Sequence, residues 1–192
     1  VASFLVVIAS LRYEVAIMLP KRNVDAFHIV ILSSGLSFIV SVLVFLVTLV
    51  FPSQIADLLS SPNIKPWLFL LGISVFLISV IQILTVWFNR RKSYKSISTN
   101  MIGQSATSAT MNISNGLAGF TSGGLIVGGL SGQLLGFGLF LRLFIKRYRR
   151  LFKYFSWKRL KQNAKKYIEY PLYSFPHRMI DMISVTGMPI LI

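Results

Sequence analysis

The sequence predicts an all-α, polytopic transmembrane helical bundle, and three observations carry that prediction. First, 54% of the 192 residues are apolar and only 13% are charged, against about 25% charged in a soluble domain. Mean hydropathy is +0.69. So few charges cannot cover a water-facing surface, whereas a lipid-facing one is built without them. Second, the apolar residues come in runs of roughly the 20 residues that a helix needs to cross the hydrocarbon core. Third, the segments between those runs alternate in charge: one set holds 16 Lys and Arg, the other holds 1. Cytoplasmic loops carry such an excess, so the charge count supports the span count independently of hydropathy.

The first run covers about 1–19 and closes at Pro20, as a helix breaker should close it. The chain starts inside this run at Val1 and ends inside another at Ile192, so the middle of a longer protein is expected. No basic start, short apolar core and small-residue cleavage site mark a signal peptide. The second run, 27–51, stops at Pro52, and the third, 66–88, begins at Pro66. Trp67 and Trp87 fall near the two ends of the third, where amphipathic rings prefer the membrane interface. Two further runs cover 98–120 and 123–145, and a last one begins at 170 and continues to 192. Loops 20–26 and 89–97 and segment 146–169 are therefore expected in the cytoplasm, and 52–65 outside.

The net charge of +15 does not point to nucleic acid, because the charges lie in short patches and no polar domain exists to hold a duplex. Segment 146–169 is the richest patch. Its Lys and Arg alternate with Tyr148, Leu151, Phe152, Phe155, Trp157 and Leu160, the first four at helical spacing, and Ser156 is placed to cap a second helix. The expected partner of 146–168 is anionic lipid, with the segment lying on the leaflet as an amphipathic linker. A solvated basic linker and a calmodulin-type target are the alternatives.

The run 98–120 is unusually polar. Gln104, Ser108, Asn112 and Asn115 fall on one helical stripe. Amides in hydrocarbon are costly, so the stripe faces either a wet lumen that accepts sugar hydroxyls or other helices, which it would hydrogen-bond. The run 123–145 carries Gly124, Gly128, Gly132 and Gly136, each four apart. That repeat makes a smooth groove for close backbone approach, for packing or for sliding during a transport cycle.

Five charged residues lie within runs, Arg142 among them, and the other four are weighed as candidates. Arg12 and Glu14 are two apart, about 200° around a helix, and are not expected to pair. Arg178 and Asp181 are three apart and are placed to pair. Structural ion pairing or snorkelling is the alternative for each. There are no cysteines, and no nucleophile–base set, metal-ligand spacing or phosphate loop appears. No catalytic residue, metal or cofactor is expected.

Several stretches resemble one family. Arg12-Tyr13-Glu14-Val15-Ala16-Ile17-Met18-Leu19-Pro20 resembles the end of the second span of the O-antigen and polysaccharide flippases, part of the multidrug/oligosaccharidyl-lipid/polysaccharide exporter superfamily. Asn89 through Asn115 is similar to their fourth loop and fifth span, and Gly123 to Gly138 resembles their sixth. Tyr167-Ile168-Glu169-Tyr170-Pro171-Leu172-Tyr173 resembles the aromatic-proline start of their seventh. The resemblance implies most of one six-helix lobe of a two-lobe transporter in the bacterial inner membrane, partnered by the other half of its own chain. It implies an undecaprenyl-diphosphate-linked oligosaccharide as substrate, flipped to the periplasm by alternating access. Arg12 and Arg178 would then meet the diphosphate. A drug or cation antiporter would instead centre on Glu14 or Asp181. A membrane-embedded polymerase or ligase would need a large outer loop, and 52–65 and 121–122 are short.

Overall fold

The computed structural model describes residues 2–58, 67–119 and 122–170, together with 172–174, 176, 177 and 180. Every regular element among them is helical. The first, α1 (Ala2–Ser10), is much shorter than the apolar run that contains it. Leu11 and Arg12 take left-handed backbone angles, φ 47° and 60°, at a cost of about 1–2 kcal/mol per residue for side chains of L-configuration. A short 3-10 turn, Val15–Met18, follows. The expectation of one continuous helix over 1–19 is thus corrected.

Four long helices follow. α2 (Asn23–Val50) has 28 residues, with Asp25 in its first turn, where a carboxylate complements the positive end of the helix dipole. Pro52 then opens the short α3 (Pro52–Leu58), a position where its missing N–H is no loss. α4 (Phe69–Arg90) has 22 residues. Its end is closed by Lys92 N–H to Asn89 O (2.9 Å) and Ser93 N–H to Phe88 O (2.9 Å). Lys92 sits between them at φ 52°, the left-handed position that helix terminations of this type require. α5 (Tyr94–Leu117) has 24 residues and ends before Gly119, φ 79°. α6 (Ser122–Tyr148) has 27 residues and carries Lys146 and Arg147 in its last turn, so 146–148 belong to this helix rather than to a separate linker. The segment then tightens into a 3-10 helix, Arg149–Tyr154, and α7 (Trp157–Lys166) follows. Ser156 stands at the N-cap position of α7 but makes no side-chain cap bond.

Among the described residues, three helical stretches are long and apolar enough to cross a membrane: Asn23–Val50, Phe69–Arg90 and Gly123–Tyr154. α5 has the length without the apolarity, because of its amides and hydroxyls. Most of the run beginning at 170 lies outside the described residues.

Side-chain contacts define the two ends of the bundle. The Arg90 guanidinium donates to the carbonyls of Ile17 (3.0 Å), Met18 (3.0 Å) and Pro20. Arg147 reaches the Ser93 hydroxyl (3.3 Å). The Ser156 N–H donates to His28 Nε2 (3.1 Å), and the Tyr13 hydroxyl to the Ala164 carbonyl (3.1 Å). Loops 20–26 and 89–97 and segment 146–169 therefore gather at one end. Trp67 lies against Gly123 towards the other.

An aromatic core fills the basic end. Phe27 stacks on Phe144 (centroids 6.0 Å) and meets Phe152 edge-on (5.0 Å). Trp87 lies edge-on to Phe144 (5.6 Å) and Tyr148 (5.2 Å). Each such pair contributes about 0.5–1.5 kcal/mol beyond buried area. Trp87 is fully buried: near the end of α4 its ring packs inward on Phe144 and Tyr148 of α6. Beyond this core, α2 buries Ser33, Ser37 and Ser41 at four-residue spacing, and Gly72 of α4 comes within contact of Phe45 of α2. Small residues at such contacts let helices approach where no hydrophobic force drives them together.

Candidate functional site

The polar stripe of α5 and the glycine repeat of α6 meet each other. A Cβ placed on Gly132 would lie 2.7 Å from the Gln104 carbonyl oxygen and 3.0 Å from Ser108 Cβ. One on Gly128 would collide with the Asn112 amide, and one on Gly136 with the Gln104 side chain. Gly129 and Gly138, off this face, have nothing within 4 Å. The four-residue spacing thus points the glycines at α5, and the spacing of the stripe points its amides at the glycines.

Hydrogen bonds cross the same contact. Asn100 Nδ2 donates to the Gly136 carbonyl (2.7 Å), and Asn115 Nδ2 to the Gly124 carbonyl (3.0 Å). Gln104 Nε2 donates to Asn100 Oδ1. Interhelical bonds in membranes average about 0.6 kcal/mol, so two of them cannot hold α5 to α6 alone. Close backbone approach along the glycines supplies the larger share, and the amides set the register.

The packing leaves a polar cleft of about 440 Å³ beside the contact. α5 lines it with Gln104, Ser105, Ser108 and Asn112, and α6 with Gly129, Gly132 and Gln133. Gln133 Oε1 accepts from the Ser74 hydroxyl (2.8 Å), which orients its amide. Asn112 Oδ1 is buried with no hydrogen-bond partner. Hydroxyls and amides without a charge suit a neutral polar group such as a sugar, since both can donate and accept. The stripe therefore packs against the glycines of α6 and also borders a cleft, with Gln104, Ser108 and Asn112 common to both.

Arg12 and Glu14 do not join this cleft. They pair with each other, Nη1 to Oε1, at 3.9 Å. This corrects the expectation that they stay apart: the left-handed turn at Leu11 and Arg12 replaces the helix that would have separated them by 200°. The Glu14 side chain is 8% exposed and that of Arg12 30%. Glu14 Oε2 and Arg12 Nε have no other partner. Arg178 and Asp181 lie outside the described residues.

Three residues escaped the sequence reading. Asn100 is the most buried polar group of α5 and stands four residues before Gln104, so extending the stripe backwards would have found it. Gln133 lies between glycines and has no pattern of its own. His28 is fully buried; it bonds the Val24 carbonyl through Nδ1 (2.7 Å) and stacks on Phe155 (5.9 Å). With the Ser156 contact it ties the start of α7 to α2, and nothing local in the sequence marks that role. Among the described residues no cluster of His, Cys, Asp and Glu could hold a metal ion.

A family model described as "Polysaccharide biosynthesis protein" matches residues 30–192. No curated protein and no solved structure matches the chain.

Proposed function

The chain belongs to the polysaccharide biosynthesis protein family, and from that premise we propose that it is part of a transporter rather than an enzyme. The transporter flips an undecaprenyl-diphosphate-linked oligosaccharide from the cytoplasmic to the periplasmic leaflet of a bacterial inner membrane, by alternating access. Products such as O-antigen or another surface polysaccharide would follow from it. The observation that carries this reading is the uncharged polar cleft of α5 and α6, set in a bundle otherwise built for lipid. A sugar headgroup cannot cross about 30 Å of hydrocarbon unaided. A wall of hydroxyls and amides lowers that barrier, while the prenyl tail stays in lipid.

Within this reading, Gln104, Ser105, Ser108 and Gln133 meet sugar hydroxyls, and Asn100 and Asn115 hold the two helices in register. The Arg12–Glu14 pair closes a turn at the basic end instead of holding substrate. An antiporter centred on Glu14 is less favoured, because Arg12 already meets that carboxylate. The basic end faces the cytoplasm, where Lys and Arg are retained. The test is reconstitution of the full-length protein in vesicles with fluorescent undecaprenyl-diphosphate oligosaccharide. Protein-dependent movement of the label between leaflets is expected. Movement no faster than in protein-free vesicles would end the proposal.

A further inference from the structure

Where α6 passes into the 3-10 helix, a concave pocket of about 590 Å³ is lined by five residues, all cationic: Lys146, Arg147, Arg149, Arg150 and Lys153. No carboxylate lines it. In a 3-10 helix, residues three apart eclipse, which brings Lys153 directly over Arg150. The chain is held in this arrangement by aromatic residues on its opposite side. Tyr148 is buried against Trp87 (5.2 Å) and Phe144 (5.7 Å), and Phe152 meets Phe27 (5.0 Å). Arg91 lies over the Tyr148 ring at 5.7 Å, and Arg147 bonds the Ser93 hydroxyl (3.3 Å). The backbone that carries the five cations is therefore held in place, and their side chains project from it into solvent.

We propose that this pocket is a binding site for a headgroup carrying two neighbouring phosphates. Arginine's fork of donors matches phosphate oxygens bidentately, and lysine supplies point charge. A lipid phosphodiester carries one negative charge, whereas two neighbouring phosphates at least double both the charge and the acceptor oxygens that the five cations can meet. The site lies at the end of the bundle where the basic loops gather, so a lipid of the adjoining leaflet and a soluble diphosphate both present the required chemistry. The diphosphate of the proposed substrate is one such headgroup; the proposal concerns binding at this pocket, and its test can fail while transport stands.

The test is equilibrium binding of radiolabelled diphosphatidylglycerol to the full-length protein in phosphatidylcholine nanodiscs, with inorganic pyrophosphate as competitor. A pocket variant, Arg149→Gln/Arg150→Gln/Lys153→Gln, is compared with a control that removes as many charges from α7, Lys158→Gln/Arg159→Gln/Lys161→Gln. All six side chains are exposed, so both variants keep the fold, and thermal unfolding checks this. Each charge-assisted hydrogen bond is worth about tenfold in affinity, so losing three is expected to cost roughly a hundredfold or more. The pocket variant loses about that much while the control loses little, and Arg149→Lys/Arg150→Lys, which keeps the charge but not the fork, loses an intermediate amount. Displacement by pyrophosphate assigns the site to the phosphates alone, and resistance to it assigns the lipid as the source. Equal losses in pocket and control variants overturn the proposal, because they show diffuse attraction and no site.

Discussion

Gly132 has little freedom on the α5–α6 contact, because its nearest neighbour is a backbone carbonyl that cannot swing away. Gly132→Ala is expected to destabilise the bundle by about 1–3 kcal/mol, the range for overpacking. Gly129→Ala, with open space around it, is expected to be neutral or to stabilise by up to about 1 kcal/mol through helix propensity. Thermal unfolding of the purified protein reads both, and equal effects would refute the facing assigned to the repeat. The Arg12–Glu14 pair makes a second prediction. Arg12→Ala leaves a mostly buried carboxylate without its cation, so folded protein in the membrane should fall. Adding Glu14→Gln should restore it, since the amide carries no charge. A diphosphate ligand at Arg12 would show the reverse: normal protein level, lost transport and no rescue. The facing of the glycines was legible from their spacing alone. The Arg12 pairing was not, since it depends on two left-handed residues that no glycine announces.

At the scale of elements, the polar stripe of α5 and the glycine groove of α6 are complementary halves of one contact, although the sequence presents them as separate features. Periodicity identifies a face but not what covers it; here each covers the other. Asn100→Leu should remove the bond to Gly136 and the support of Gln104, at a cost of about 1–2 kcal/mol. The measurement is the unfolding midpoint. The double variant with Gly136→Ala should cost less than the sum, because neighbours that share a contact are not additive; strict additivity would argue that the two residues do not touch. Apolar runs located α2, α4 and α6 to within a few residues. They failed at α1, where hydropathy continues through a break in the backbone. They also placed the start of the linker at 146, where α6 continues to Tyr148.

For the whole molecule, the gathering of the basic segments at one end is the feature that orients the chain. Single cysteines at Ser53→Cys in α3 and Lys95→Cys in α5, both exposed positions, should label from opposite sides of intact cells, Ser53→Cys from outside. Labelling from one side would contradict the orientation. The charge asymmetry behind this prediction could be read from the sequence because it is a property of composition by segment. The contacts that close the basic end, from Arg90 to the Pro20 loop and from His28 to Ser156, could not, because they join residues 70 and 128 apart. The cleft was half legible: its α5 wall stood out as amides in an apolar context, and its α6 wall, Gln133 among glycines, did not. The central claim is that this cleft carries the sugar. Ser105 lines it from an exposed position, so Ser105→Leu intrudes on the path without entering the α5–α6 contact. The direct measurement is the rate of flipping of labelled lipid-linked oligosaccharide by the full-length protein in vesicles, wild type against Ser105→Leu, with protein amount and unfolding midpoint matched. A fall of about tenfold or more, as expected when an apolar group displaces a hydrogen-bonding one, is the predicted result, and an unchanged rate would contradict it.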